Sequence, residues 1–221
     1  MAPVAVVTDS TAYLPPELVA RHDIHVVPLY IVFGGERTVP ETEITDYPAF
    51  FEELRSAEQV PTTSQPSVGD FAATYEQLLS AGHDVVSIHI SGALSGTPGA
   101  ARQAKEALER DGQGGERVRV IDSRTTAGAL ALLALVAAAG VRHGETVQEV
   151  ERRVNEANEH LKIWFALDTL EFLRRGGRIG PASAWIGSTL KVKPILSMEG
   201  GELKPIERVR TSARMFERMV D

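Results

Sequence analysis

Three short runs constrain this chain's fold more than any other feature. PVAVVTD (3–9), DVVSIHI (84–90) and RVRVID (117–122) are rich in β-branched residues, and each leads into aspartate or hydroxyl side chains. Helical patterns separate and follow them. A helix from Pro15 to about His22 opens on two prolines, which suit a first turn whose N–H groups have no partner. Ser67 and Asp70 form a capping-box signature, and Phe71, Tyr75, Leu78 and Leu79 then keep the spacing of one buried helical face. Further helices are expected over 99–110, over the apolar run 127–141, and from the Thr146/Glu149 capping box to about His160. This alternation predicts an α/β fold, a parallel sheet flanked by helices. Ligands in such sheets sit at the carboxyl ends of the strands. TDST (8–11), SGALSGT (91–97) and DSRTT (122–126) all follow strands, so one crevice is expected to be lined by all three.

The intervening segments read as a strand over 24–33, a helix over 47–55 with Phe50, Phe51 and Leu54 on one face, and a loop over 61–67. The pattern changes near residue 161. KIWFAL reads as a strand, DTLEFLRR as a short helix stopped by Gly176-Gly177, and 181–189 as another short helix. KVKPILSM and ELKPIERVR form a hairpin around EGG, followed by a helix with Met215, Phe216, Met219 and Val220. Two domains are expected: an α/β domain over 1–160 and a second, smaller, partial α+β domain over 161–221.

Composition narrows the function. The net charge of −7, with no basic stripe, argues against nucleic acid as a partner. With no cysteine, the chain has no disulfide, thiolate metal site or cysteine nucleophile, as suits a cytoplasmic protein. The N-terminus lacks the basic and apolar regions of a signal peptide. The apolar run 127–141 is shorter than the ~20 residues a membrane span needs, so it reads as a buried helix, and no stable membrane insertion is expected.

Most catalytic motifs are missing. In GALSG the serine falls one place too late for a hydrolase elbow, and no Gly-Lys pair marks a phosphate-binding loop. A Ser95 nucleophile would need a base. His89 shares a strand face with Ser87 and Ser91, but a strand histidine satisfied by a neighbour is the simpler reading. Asp9, Asp122 and Asp168 follow or end strands; they suit capping better than a metal site, and the six histidines do not cluster. No metal or cofactor is expected. Thr97 alone would suit a helix cap, but Ser95-Gly96-Thr97 adds a hydroxyl to the bare amides of a helix start, where the dipole favours an anion. TTSQPS supplies a second hydroxyl cluster 32 residues earlier. Hydroxyls and amides without lysine suit a carboxylate better than a triphosphate.

Taken together, TDSTAYLP, TSQPS, SGALSGT, DSR, DTLEFLRRGGRIG and KVKPIL resemble the DegV family, in its order and from residue 8 to residue 210. The resemblance implies a lipid-binding protein, without catalysis of its own, that holds a long-chain fatty acid. It also implies presentation of that acid to an ATP-dependent fatty acid kinase subunit, which phosphorylates the carboxyl group to an acyl phosphate. By the same resemblance Thr63, Ser95 and the Gly96 amide hold the carboxylate, and Arg178 and Arg210 serve phosphoryl transfer or partner docking. The sequence departs from the family at Pro98-Gly99, where a Tyr-Gln-like pair is usual, and the family's glycine-rich terminal stretch lies beyond residue 221, so the second domain reads as truncated. Burying on the order of ten methylenes at ~0.8 kcal/mol each gives about 8 kcal/mol of gross drive, part of which association entropy offsets. Two rivals are a hydrolase or phosphotransfer enzyme using Ser95 and a sensor or structural module that uses lipid only for stability.

Overall fold

The computed structural model describes residues 2–34, 37–57, 59–185 and 192–220. The chain divides into two compact units, Met1–Leu161 and Lys162–Asp221.

In the first unit the elements run β1 (Val4–Asp9), α1 (Pro16–His22), β2 (Ile24–Val27), β3 (Tyr30–Phe33), β4 (Arg37–Pro40), α2 (Tyr47–Ser56), β5 (Thr62–Ser64), α3 (Val68–Ser80), β6 (Asp84–His89), α4 (Thr97–Arg110), β7 (Val118–Asp122), α5 (Ala127–Arg142) and α6 (Val147–His160). The central sheet is parallel, with strand order β2-β1-β6-β7. Successive strand side chains point to opposite faces, and both faces are covered. Val4, Val6, Val86 and Ile88 pack with Leu130, Leu133, Val150 and Val154 of α5 and α6. Ala5, Val7, Val85 and Val118 pack with Phe71, Tyr75, Ala104 and Leu108 of α3 and α4. Burial on both sides is why these strands read as continuous apolar runs. Both expected capping boxes are present, at Ser67/Asp70 and Thr146/Glu149.

Three expectations are corrected. Residues 24–33 do not form one strand. The chain breaks after Val27, and β3 joins a separate antiparallel sheet of order β4-β3-β5. Pro28 has no N–H to offer a ladder, while the Leu29 N–H donates to Ser10 Oγ (2.9 Å) and its carbonyl accepts from the Glu41 N–H (2.8 Å). Residues 61–67 are not all loop, because Thr62–Ser64 pairs with β3, with Thr63 opposite Ile31. β-Branched threonines suit such an edge. Finally, α4 starts at Thr97 rather than Gly99, which puts Pro98 in the first turn, where proline is tolerated.

Nor is the aromatic face of α2 buried. Phe50 meets Phe33 edge-on at 6.4 Å between centroids, but Phe51 stacks on Tyr47 and stays half exposed.

The second unit contains β8 (Trp164–Ala166), α7 (Glu171–Arg175), β9 (Lys193–Glu199), β10 (Glu202–Val209) and α8 (Ser212–Val220). Its strands form an antiparallel sheet of order β10-β9-β8, and β9 and β10 are the expected hairpin. Gly200 and Gly201 both have positive φ, a conformation that glycine adopts without steric cost. The short helix expected over 181–189 is a 3-10 turn over Gly180–Trp185; positions 186–189 lie outside the described residues. Met215 packs against Ile195 and Val209, while Phe216 and Val220 are exposed.

A buried polar chain ties the ends of β1 and β6 together. Tyr75 Oη donates to Ser87 Oγ (2.8 Å), Ser87 Oγ meets His89 Nε2 (2.6 Å), and His89 Nδ1 donates to Asp9 Oδ2 (3.0 Å). Asp9 also accepts from the Ile90 N–H (2.9 Å), the Thr11 N–H (3.1 Å) and Thr11 Oγ1 (2.5 Å). Phe71 packs edge-on against the imidazole at 4.9 Å. Burial pushes the Tyr75 phenol well up, with the Ser87 hydrogen bond acting in the opposite sense.

Asp9→Ala strands four donors at once. It is expected to cost ~3–5 kcal/mol, read from urea unfolding with an unchanged m-value. Ser67→Ala, which removes only a cap, is expected to cost ~1 kcal/mol in the same measurement.

Candidate functional site

The three hydroxyl-bearing turns predicted to line one crevice follow β1, β6 and β7, neighbouring strands of the parallel sheet. The turns after β6 and β7 are bonded to each other. The Ser91 N–H donates to Thr125 O (2.8 Å) and the Ser123 N–H to His89 O (3.0 Å). Asp122 accepts from the Gly92 N–H (3.1 and 3.2 Å) and from the Arg124 N–H (3.0 Å). A Cβ at Gly92 would lie 2.6 Å from Asp122 Oδ2, so a side chain there would displace the carboxylate that bonds this turn. Asp9 thus spends its oxygens on Thr11, His89 and Ile90, Asp122 on the Gly92 and Arg124 amides, and Asp168 pairs with Lys193.

Within SGALSGT, the Leu94 and Ser95 N–H groups donate to Ser91 O (3.0 and 3.1 Å), closing a tight turn. Ser95 Oγ lies 2.8 Å from Thr97 Oγ1 and accepts from the Thr97 N–H (3.3 Å). Thr97 is therefore not the cap that its type alone suggests. Gly96 occupies the cap position, with no side chain to contribute. Among the described residues neither the Gly96 N–H nor Thr63 Oγ1 has a hydrogen-bond partner. Ser95 is half buried, while Gly96 and Thr63 are exposed.

The two segments meet at Gln65 and Gly96. A Cβ built on Gly96 would fall onto the side-chain amide of Gln65, so the TSQPS segment packs directly on the bare Cα of the second turn. Thr63 is two residues away, ~7 Å along an extended chain. Gln65 stands inside the motif, but nothing in the sequence marks it as functional. Its contact spans 31 positions and leaves no local pattern.

Beside the turn after β1 lies a cavity of about 660 Å³. Leu14, Val19, Ala20, Val26 and Ile44 give it apolar walls, and Ser10, Tyr13 and Glu41 form a polar corner. Leu14 and Val26 pack into the same apolar cluster as Leu94, the residue before Ser95. In the polar corner Ser10 Oγ donates to Glu41 Oε2 (2.5 Å) and Tyr13 Oη donates to Glu41 Oε1 (2.7 Å). Desolvation of the hydroxyl, with the Glu41 carboxylate beside it, pushes the Tyr13 phenol up, although the residue as a whole stays half exposed. Sequence reasoning missed Glu41, since an exposed-looking glutamate in a turn carries no signal of its own.

His89 is no base for Ser95. It is wholly buried, with one ring nitrogen engaged by Ser87 and the other by Asp9. The Asp9–His89–Ser87 order is that of a hydrolytic triad, but Ser87 is itself wholly buried beneath Tyr75.

In the second unit Arg178 follows Gly177, whose φ is +73°. Its N–H donates to Leu173 O (3.0 Å), and its guanidinium bonds Gly176 O at 2.5 Å. Arg210 is exposed and sits in the bend just past β10 rather than within a strand. Gly180, two residues after Arg178, lies against Leu203 near the start of β10, at the other end of that strand from Arg210.

Among the described residues no helix is long and apolar enough to cross a membrane, and no three His, Cys, Asp or Glu side chains gather as a metal site would require.

A family model described as an uncharacterised protein, DegV family, matches residues 3–221. A DegV domain-containing protein of Streptomyces coelicolor is 42% identical over 217 residues, covering 98% of this chain and 74% of that one. A Thermus thermophilus structure described as fatty acid binding of a DegV family protein superposes with a TM-score of 0.88 at 35% identity, covering 99% of this chain and 75% of that one. The structure of DegV from Bacillus subtilis, described as a fatty acid binding protein, gives 0.86 at 37%, covering 100% and 76%. With the motifs in the family's order and a match over nearly the whole chain, this protein belongs to the DegV family.

Proposed function

We propose that this chain binds a long-chain fatty acid in the crevice of its first unit and presents it, in a bacterial cytoplasm, to an ATP-dependent kinase subunit that phosphorylates the carboxyl group. The observation that carries the reading is the packing of Gln65 on Gly96, which sets the Thr63 segment against the Ser95–Gly96 turn. Thr63 Oγ1, Ser95 Oγ and the Gly96 N–H then converge on one anionic head. A buried carboxylate without such donors would forfeit most of the gain from its tail. Donors at a helix start also gain from the helix dipole. The tail lies along Leu94, Leu14 and Val26 into the apolar cavity. Fatty acid binding by the related Thermus and Bacillus proteins supports the same ligand class here.

In this reading residues 1–160 are the family's α/β domain, and 161–221 are part of its second domain. Arg178 and Arg210 act on the phosphoryl group or on the kinase surface, because guanidinium groups recognise oxyanions well. The chain itself catalyses nothing and needs no metal or cofactor. Hydrolysis through Ser95 is disfavoured by the lack of a base, since both nitrogens of His89 are engaged elsewhere.

Hydrogen bonds to a charged group are worth ~1.5–3 kcal/mol each. Thr63→Ala with Ser95→Ala is therefore expected to weaken palmitate binding by about 100-fold or more, measured by calorimetry. Unchanged affinity would overturn the site. Arg178→Ala is expected to leave that affinity unchanged and to reduce acyl phosphate formation when a family kinase and ATP are supplied. A parallel loss of both would place Arg178 on the carboxylate instead.

A further inference from the structure

The polar corner of the cavity has a second consequence. Ser10 and Tyr13 present two hydroxyls that hold a carboxylate from both sides, and the carboxylate they hold is the chain's own Glu41. Ser10 is fixed by its second bond, from the Leu29 N–H (2.9 Å). Tyr13 is held at φ +49°, a left-handed conformation that costs a residue with a side chain. The main chain of Glu41 is also tied down, with its N–H on Leu29 O (2.8 Å). Glu41 immediately follows β4, an edge strand of the β4-β3-β5 sheet. The opposite edge, β5, carries Thr63. Side-chain bonds between this small sheet and its surroundings are few. Among the described residues, besides the Glu41 clamp there are Tyr30 Oη to Asp70 Oδ2 at 3.3 Å and the exposed Arg37 Nη2 to Glu53 Oε1 of α2 at 2.7 Å, with Gln65 packed on Gly96.

We propose that Glu41 is a positioning residue for ligand binding: clamped by Ser10 and Tyr13, it fixes the β4-β3-β5 sheet against the parallel sheet and so sets Thr63 opposite Ser95. The Glu41 carboxylate touches no ligand in this scheme. It acts through two strands, each ~4.8 Å from the next, and its clamp also forms one wall of the cavity that receives the tail. Releasing the clamp lets the small sheet move as a body, which misplaces one head-group donor and opens the cavity together. This part of the account rests on the proposed fatty acid site, but the clamp's hold on the small sheet does not.

The test compares wild type with Glu41→Ala, Glu41→Gln and the Ser10→Ala/Tyr13→Phe double variant. Amide exchange is read first, without ligand. Glu41→Ala is expected to speed exchange at the ladder amides of β3, β4 and β5 by about tenfold or more and to leave Val6, Val86 and Ile88 unchanged. Glu41→Gln, which keeps acceptor capacity for one hydroxyl, is expected to fall between. The release rate of bound palmitate is read second and is expected to rise in the same order. Glu41→Ala is expected to add nothing to the Ser10→Ala/Tyr13→Phe variant, since the three residues form one clamp. Unchanged exchange over the small sheet overturns the proposal even where palmitate binds tightly. Faster exchange with unaltered palmitate release overturns the positioning role. A wild type that takes up no palmitate but shows the exchange pattern overturns the fatty acid reading and leaves the clamp standing as the element that orders the small sheet.

Discussion

The buried Asp9 carboxylate is the constraint on which the rest of the first unit depends. It sits at the end of β1 and collects donors from Thr11, His89 and Ile90, joining the turn after β1 to the end of β6. Without it, the two central strands would still pair through their ladder, but the turns that follow them would lose their common anchor. A buried charge is tolerable only when its lone pairs are engaged, and here the engagement itself fixes the crevice. The Ser95 turn follows β6, whose end Asp9 and Asp122 hold, whereas Thr63 belongs to the small antiparallel sheet.

This arrangement separates rigidity from chemistry. The residues that pass hydrogen bonds inward, Tyr75, Ser87, His89 and Asp9, are all buried. The residues assigned to the ligand head, Thr63, Ser95 and Gly96, lie at or near the surface on turns and an edge strand. The acid–histidine–serine order inside the sheet is thus architectural. It would mislead a search by motif geometry alone, because solvent and substrate reach none of its reacting atoms. The small antiparallel sheet is the adaptable part, since it owes its placement to a few side-chain bonds rather than to the parallel ladder.

Much of this was legible in the sequence because it follows from local pattern. The parallel strands announced themselves as apolar runs, and the capping boxes at Ser67 and Thr146 were read with their partners. The errors fell where a long-range bond decides local structure. Residues 24–33 look like one strand until Ser10 takes the Leu29 N–H and turns the chain into a second sheet. Thr62–Ser64 looks like loop until β3 provides a ladder. The same holds for the site. Ser95 and Gly96 stood out as a hydroxyl and a bare amide at a helix start, whereas Gln65 and Glu41 gain their meaning only from contacts with residues about 30 positions away. His89 was recognised as a satisfied strand histidine, but its partner Asp9 lies 80 residues away, beyond any periodicity.

The central claim is that the hydroxyl corner between Thr63 and Ser95 holds the head of a fatty acid. Its most direct test is to denature the purified protein, extract it with organic solvent and weigh the extract by mass spectrometry. The account predicts about one long-chain fatty acid per chain, or stoichiometric uptake of added palmitate by lipid-free protein. A folded protein that carries no fatty acid and takes none up would contradict it.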